Sequence, residues 1–473
     1  MSTDFDAAFR RLDEYISACM AAARTPAMAV ALFDREHTVR VTRYGYADPE
    51  ARVPLAPDTL FGIGSITKSF TGLAVVQAAE RGLLDLHRPV TDYLPWFEVQ
   101  TRFAPITLHH LLTHTAGLVG VIDRSPDIRG AVWALRDTEA AWPPGRRFHY
   151  SDAGYQTLTL VLEAVTGQPF AEVIRTRIFE PLGMHSSVAA MTHDVRPRLA
   201  RGYCTLYDDR PPRPDYPLVP APWVEASSGD CSIASTADDM ARYGRMLLNR
   251  GQTDSERLLS PAGFDLFTYP HAPAGPILGP QPCDCGYGLV SHRRDGFAYL
   301  ETGGRYPGYI AHLIVDVDHG IGVVTLSTTP HAAGSHWAAM RVWRAAHLGQ
   351  LFDPTMPAPW EQSAGSSSSE PAAVPQSTGQ SVPPPEWRAF VGHYRAHLPW
   401  EERNFRVLMR DSRLRLAWPL GKDLPLVPRD GRPGAFWLGT EPTPEWVRFD
   451  QIADGQALRA TLSATDFYRF FTP

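Results

Sequence analysis

A serine and a lysine placed three residues apart are the strongest candidates for chemistry in this sequence of 473 residues. Apolar side chains recur at helical spacing after Ser65, which predicts a helix that begins near this serine and ends at Gly82. Ser65 and Lys68 would then share one face of the first turn, where unpaired N–H groups and the helix dipole favour an oxyanion. A buried lysine amine at this position can accept the proton of the serine hydroxyl, so the pair predicts a nucleophilic serine.

The presence of lysine at position 68 is itself informative. Only two of the 45 basic residues are lysines, Lys68 and Lys422, and the others are arginines. Arginine does not deprotonate in proteins, whereas a lysine amine can lose its proton. Lys422 lies beside Gly421 and Asp423 in a predicted turn, which is typical of a surface residue. An N-capping serine followed by an exposed lysine is the alternative interpretation of Ser65 and Lys68.

Two further segments carry groups that can serve an acyl-transfer site. Tyr150 and Asp152 are two residues apart, so in an extended loop their side chains would point the same way, and the phenol could share a proton with the serine. The segment Glu301–Gly304 precedes a predicted hairpin, and its two glycines would let a substrate backbone approach closely. No Lys-Ser or Lys-Thr follows these glycines, which excludes a phosphate-binding loop. Taken alone, each segment is also typical of an ordinary loop or turn.

The elements around these residues predict an α+β fold. Residues 27–33 and 38–44 have the pattern of two strands, and residues 309–317 and 321–327 form a second predicted hairpin. A long stretch with helical spacing lies between the hairpins, and a further helix is predicted at 335–348. A hairpin at each end predicts one antiparallel sheet flanked by helices, with a helical subdomain over it.

Three blocks divide the chain. Residues 1–356 have continuous apolar patterning and form the predicted catalytic domain. Residues 357–385 are rich in Ser, Pro, Gly and Ala, which is typical of a linker. Residues 386–473 contain short alternating runs separated by turns, which predicts a small all-β barrel.

Composition limits the partners. The 45 basic and 51 acidic residues give a net charge of −6, which indicates no basic surface for nucleic acid or anionic lipid. The sequence has no run of 18 apolar residues and does not open with a secretory signal, so we expect a cytoplasmic protein without membrane association. Five scattered cysteines do not predict a disulfide framework. Cys283 and Cys285 have no second pair at ligand spacing, so neither a metal nor another cofactor is predicted.

In their order and spacing, the three segments resemble those of the serine β-lactamase and penicillin-binding-protein superfamily. The resemblance is strongest to the class C-like branch, which includes D-aminopeptidases, esterases and thioesterases. It spans about residues 10–350 and includes three flanking runs, 111–118 (LLTHTAGL), 179–184 (FEPLGM) and 235–240 (STADDM). The C-terminal block resembles the lipocalin-like barrel that some of these enzymes carry. The resemblance therefore implies a β-lactamase-like sheet with helices, followed by that barrel.

The resemblance implies a role for each matched residue. Ser65 would be the nucleophile, Lys68 its base and Tyr150 a proton relay. The backbone N–H groups of Ser65 and Gly304 would form the oxyanion hole. The run HLLTH, which ends at His114, lacks the glutamate of a zinc site, and the resemblance implies a structural role for His114.

Two positions depart from the pattern of the family. The second segment usually ends in asparagine, where this sequence has Asp152, and the third usually begins with lysine or histidine, where it has Glu301. Together with Thr302 and Gly303, Glu301 would line the substrate site. There its charge would repel a carboxylate and attract an ammonium, an interaction of about 1–4 kcal/mol at contact. Asp152 beside Lys68 would stabilise the ammonium form of the lysine, so the proton would have to be shared among several groups.

Three functions are compatible with these residues. The first is a serine hydrolase or acyltransferase that acts on peptide-like amides or esters with a D-amino-acid acyl group. The second is a penicillin-binding-protein-type thioesterase that releases a carrier-bound nonribosomal peptidyl thioester by macrolactamisation, since an acidic pocket would attract the amine that closes the ring. The third is a non-catalytic ligand-binding homologue, suggested by the two altered positions. The expected partner is therefore a small molecule or a peptide.

Overall fold

Two compact units make up the chain. The computed structural model describes residues 5–470 except 123–126, 208, 211–212, 214, 254, 276–281, 330–333, 351–382, 397–403, 420–422, 430 and 441–442. The first unit contains Met1–Arg88, Leu158–Cys204 and Leu218–Ser366, and the second contains Pro89–Thr157, Thr205–Pro217 and Ser367–Pro473. Most of the predicted linker at 357–385 lies outside the described residues, and the predicted boundaries at 356 and 386 stay predictions.

An antiparallel sheet forms the centre of the first unit. Within the described residues, the first thirteen strands are β1 (Ala27–Asp34), β2 (Thr38–Asp48), β3 (Val53–Pro54), β4 (Phe61–Gly62), β5 (Tyr203–Thr205), β6 (Leu218–Pro220), β7 (Ala234–Ser235), β8 (Ala272–Gly275), β9 (Cys283–Cys285), β10 (Val290–Arg294), β11 (Phe297–Tyr306), β12 (Tyr309–Asp316) and β13 (Ile321–Ser327). Among the described residues, nine of them form one sheet in the order β3-β2-β1-β13-β12-β11-β10-β9-β8. Met28 of β1 lies opposite Ser327 of β13. Strands from both ends of the predicted block therefore build one sheet, as predicted.

Helices cover both faces of this sheet. The helices of the chain are α1 (Phe5–Ala23), α2 (Thr67–Glu80), α3 (Leu108–Leu112), α4 (Ile128–Trp133), α5 (Asp152–Thr166), α6 (Phe170–Ile174), α7 (Glu180–Leu182), α8 (Ala237–Leu248), α9 (Pro261–Thr268) and α10 (Ser335–His347). On one face, Ile16 of α1 and Trp343 of α10 belong to one buried cluster with Ile314 of β12. On the other face, Gly244 of α8 lies so close to the Phe33 ring that a methyl group there would come within 2.2 Å of it. The two faces of each central strand therefore meet different helices.

Helix α2 is enclosed by the first unit. Every residue from Thr67 to Ala78 is buried. A helix that is covered on all sides needs apolar residues all around, which explains why α2 lacks a separate polar face. Lys68 lies in its first turn and is only 2% exposed, so its amine requires hydrogen-bond partners inside the protein.

A closed barrel ends the second unit. Its strands are β14 (Gly392–Arg395), β15 (Asn404–Arg410), β16 (Arg413–Ala417), β17 (Asp423–Pro428), β18 (Ala435–Leu438), β19 (Trp446–Ala453), β20 (Gln456–Leu462) and β21 (Thr465–Phe470). These eight strands of the described chain pair in sequence order, and β14 closes the barrel against β21. Phe405, Phe436 and Phe449 belong to its buried core. The predicted α+β fold and the predicted all-β barrel are confirmed, whereas the likeness of the barrel to lipocalins stays a prediction.

None of the described helices combines the length and the hydrophobicity that a membrane crossing requires.

Candidate active site

Ser65 and Lys68 are in contact at the start of α2. Ser65 is the middle residue of a 3-10 turn, Gly64–Ile66, which runs directly into the helix. The Lys68 amine donates a hydrogen bond to Ser65 Oγ over 3.1 Å and another to the backbone carbonyl of Asp230 over 2.8 Å. The alternative of an exposed lysine is wrong, because Lys68 is buried. Helical spacing alone brings the hydroxyl and the amine together.

The segment that accepts the lysine hydrogen bond is held against α2. Thr71 Oγ1 donates to the backbone carbonyl of Gly229 over 2.7 Å, one turn along the helix from Lys68. Asp230 is buried, and its carboxylate accepts a hydrogen bond from the Ser228 hydroxyl. The Asp230 carbonyl that accepts from the Lys68 amine is therefore held in place by the hydrogen bonds of Gly229 and of the Asp230 side chain. No local sequence pattern connects Asp230 with α2, so spacing along the chain does not predict its role.

Strand β11 passes directly beside the serine. A methyl group at Gly304 would lie 1.9 Å from the carbonyl oxygen of Ile63 and 2.6 Å from the backbone nitrogen of Ser65. Only glycine permits this approach. Strand β10 pairs with β11 only as far as Glu301. Among the described residues, 302–306 of β11 therefore pair with β12 alone. The backbone of Gly304 thus lies against that of Ser65, which supports the predicted oxyanion hole; the hole itself stays a prediction.

Replacing Gly304 by alanine is expected to lower kcat by about 100-fold or more, because the new methyl group must push β11 away from Ser65. The same displacement should cost about 1–3 kcal/mol of stability. Turnover and thermal unfolding measure the two effects. Gly154→Ala is the control, since a methyl group there would make only ordinary contacts at 3.7 Å. Unchanged kcat in the Gly304 variant would contradict the assignment.

Glu301 does not line a substrate pocket. The register of β11 with β10 and β12 places its side chain on the face that α1 and α10 cover, whereas Gly304 lies on the opposite face. Glu301 is also only 2% exposed. The predicted acidic pocket is therefore wrong in its position, because a short motif does not reveal which face of its strand a helix covers. Thr302 lies on the same face of β11 as Gly304, and Gly303 lies on the same face as Glu301. Contact of Thr302 and Gly303 with the substrate stays a prediction.

Three histidines from three elements surround the Glu301 carboxylate. His292 of β10 donates from Nε2 to Oε2 over 2.8 Å, and Nε2 of His336 on α10 lies 3.3 Å from Oε1. His312 of β12 stacks on His336 with ring centroids 3.8 Å apart. Burial alone would raise the pKa of Glu301, but the hydrogen bond from His292 and the nearby His336 outweigh it and lower this pKa to about 2. Burial and the nearby His336 lower the pKa of His312 well below its usual value. Glu301 is therefore anionic and His312 uncharged at neutral pH.

The second predicted segment belongs to the second unit. Tyr150 is 37% exposed and stacks on His114 with ring centroids 4.5 Å apart. His114 Nδ1 accepts a hydrogen bond from the N–H of Ser151 over 3.0 Å, so its ring has a structural contact at this loop. Asp152 is not part of an extended loop, since it is the first residue of α5, and the preceding serine accepts a hydrogen bond from the N–H of Gly154. The expected extended loop is therefore wrong at Asp152, and the roles of Tyr150 and Asp152 in proton transfer stay predictions.

Glu445 of the barrel supports the loop of this second segment. Its Oε1 accepts a hydrogen bond from the N–H of Gly120 over 2.7 Å and lies 3.1 Å from His149 Nε2. Its other oxygen accepts from the Ser463 hydroxyl. The Gly120 carbonyl in turn accepts from the N–H of Asp152 over 2.8 Å. No local pattern predicts the role of Glu445, because 325 residues separate it from Gly120.

Replacing Glu445 by alanine is expected to destabilise the second unit by about 1–3 kcal/mol, because the Gly120 N–H loses its acceptor. Thermal and denaturant unfolding measure the loss. Glu445→Gln keeps one acceptor oxygen and should lose less. Equal stability of the alanine variant and the parent would show that the contact does not support the loop.

The sheet with helices on both faces, and the serine–lysine contact at the start of α2, define the β-lactamase-like class of serine hydrolases. The chain belongs to the family described as Beta-lactamase, whose sequence model matches residues 12–347. It is therefore a serine hydrolase of the β-lactamase and penicillin-binding-protein superfamily.

Three known proteins show what the chain is similar to. It is 30% identical to Penicillin-binding protein 4 of Amycolatopsis lactamdurans over an alignment of 315 positions, which covers 64% of this chain and 80% of that protein. It is 30% identical to the Teichoic acid D-alanine hydrolase of Staphylococcus aureus over 201 residues, which are 42% of this chain and 48% of that protein. The octameric penicillin-binding protein homologue from Pyrococcus abyssi has a similar fold, with a TM-score of 0.65 at 23% identity over 98% of this chain and 100% of that one.

Proposed function

We propose that this protein removes a D-aminoacyl group from an ester or amide, with Ser65 as the nucleophile and Lys68 as its base. One observation carries the chemistry: the buried Lys68 amine lies 3.1 Å from Ser65 Oγ, in a turn against which the Gly304 backbone lies. Such a contact makes a serine hydroxyl reactive without a histidine.

The proposed reaction makes use of this geometry. Ser65 Oγ attacks the carbonyl carbon of the substrate while its proton passes to the neutral Lys68 amine. The N–H groups of Ser65 and Gly304 stabilise the negative oxygen of the tetrahedral intermediate. The bond to the leaving alcohol or amine then breaks, and the leaving group takes up the proton. Water adds to the resulting acyl-enzyme, which releases the amino acid and restores the serine.

The choice of a D-aminoacyl group rests on likeness. The Staphylococcus aureus relative is named for the hydrolysis of D-alanine on teichoic acid, and 201 residues of this chain are 30% identical to it. The class C-like branch that the sequence resembles includes enzymes for D-amino-acid substrates. A D-alanyl ester is therefore the first substrate to test.

The two other functions have less support. The macrolactamising thioesterase depended on an acidic pocket, and Glu301 lies on the opposite face of its strand from Gly304. The non-catalytic homologue depended on the altered positions, yet Ser65 and Lys68 are present and in contact. We therefore retain hydrolysis as the proposal.

A matched pair of small esters tests the proposal. D-alanyl and L-alanyl esters of the same alcohol are compared by kcat/KM, and intact mass is recorded early in the reaction. We expect the D-ester to be favoured by about 10-fold or more and one alanyl group to be attached to Ser65. Preference for the L-ester, or turnover without an adduct under rapid quenching, would contradict it. Macrocycle formation from a linear peptidyl thioester would support the thioesterase instead.

A further inference from the structure

The carboxylate of Glu301 and two imidazoles converge inside the first unit. One ligand-type atom each from Glu301, His312 and His336 lies within 4.8 Å of the others. Zinc bound tetrahedrally at about 2.0–2.1 Å holds its ligand atoms about 3.4 Å apart. The Oε1 of Glu301 lies 3.3 Å from Nε2 of His336, which matches that spacing.

Oε1 of Glu301 and Nε2 of His336 contact each other at 3.3 Å and have no other partner within the described ranges. Nδ1 of His336 and both ring nitrogens of His312 have no hydrogen-bond partner there. Glu301 and His336 are 2% and 3% exposed, so water cannot easily satisfy them. Buried polar atoms without partners are costly. The His312 and His336 rings stack with their planes 10° apart, so one ring must turn before a single cation can take one lone pair of each residue.

The surroundings of the three residues are those of a metal site. His292 donates a hydrogen bond to the other oxygen of Glu301 over 2.8 Å, and such bonds commonly orient a ligating carboxylate. The donor set of two imidazoles and one carboxylate suits zinc and other divalent transition metals.

We propose that Glu301, His312 and His336 bind a divalent transition metal ion, with zinc as the best match to the ligands. The ion would join β11, β12 and α10. Its role is structural, because Glu301 and Gly304 lie on opposite faces of β11. By fixing the strand three residues before Gly304, the metal would hold that glycine in register beside Ser65. Sequence spacing carries no signal for this site, because its ligands come from three separate elements.

The full chain, stripped with a chelator and dialysed, is titrated with zinc and with cobalt(II). We expect about one ion per chain by elemental analysis, visible cobalt bands of low-coordinate N and O ligation, and a rise in Tm of about 3 °C or more. His336→Gln and His312→Gln should lose all three. His347→Gln, at the exposed end of α10, is the matched control and should keep them.

Several outcomes would overturn the metal site. One is a stripped parent chain that binds well below one equivalent and shows no shift in Tm. Another is equal binding by the parent and both glutamine variants, because the ion would then lie elsewhere. Because titration of the parent is decisive without a variant, a glutamine variant that does not fold leaves the test intact. Metal content does not depend on Ser65 reactivity, so failure here is distinguishable from failure of the proposed hydrolase.

Discussion

Ser65→Ala is expected to lower kcat for a D-alanyl ester by about 10⁴-fold or more, the largest effect of any substitution proposed for this protein. Alanine removes the hydroxyl oxygen that carries the acyl group in the proposed mechanism. The fold should survive, because the Lys68 amine keeps its hydrogen bond to the Asp230 carbonyl. Residual turnover would report stabilisation of the oxyanion by backbone N–H groups alone.

Two measurements make the Ser65 result decisive. Initial rates at saturating ester give kcat, and intact mass after an active-site serine probe shows whether the variant still forms an adduct. Ser255→Ala, in an exposed loop, is the control for loss of a serine hydroxyl and should behave as the parent. A Ser65→Ala protein that still forms the adduct, or that retains the parent rate, would rule out the covalent mechanism.

Lys68→Arg is expected to lower the rate of acylation by about 10³-fold or more. The guanidinium keeps the positive charge but cannot accept the serine proton. Its planar fork is also larger than the ammonium, and the first turn of α2 leaves position 68 buried. A single-turnover measurement of acyl-enzyme formation separates this step from hydrolysis.

The chain offers a matched control for this variant. Its other lysine, Lys422, lies outside the described residues, and Lys422→Arg repeats the same chemical change there. We expect the Lys422 variant to acylate as the parent does. Acylation of the Lys68→Arg protein within a few-fold of the parent would exclude Lys68 as the base. Thermal unfolding of both variants shows whether any loss comes from misfolding.

Local spacing was sufficient to predict the centre of the site. Ser65 and Lys68 are three residues apart on a helix, so their contact follows from the helical repeat. The strand hairpins and the barrel strands followed in the same way from alternating patterns and turns. The position of Gly304 beside Ser65 did not follow from spacing. It came from the resemblance to a family.

The remaining site residues depend on distant parts of the chain. The face on which Glu301 lies is set by pairing with β10 and β12 and by α10, which begins 34 residues later. Glu445 reaches Gly120 across 325 residues. The helical position of Asp152 depended on where α5 begins, and helix boundaries are the least certain part of a pattern. Burial and tertiary pairing, which no local pattern encodes, explain each of these differences.

Glu301 and Gly304 lie on opposite faces of β11, and this limits which sequence changes the strand can accept. Insertion or deletion of one residue before Glu301 would slip the strand and exchange its two sides. A carboxylate would then be turned toward the serine turn, and the close approach at Gly304 would be lost in the same event. A point substitution does not exchange the two faces of β11, because it changes one side chain and leaves the register of the strand unaltered. Variation in this enzyme should therefore accumulate in β11 by replacement of single side chains and not by changes in length.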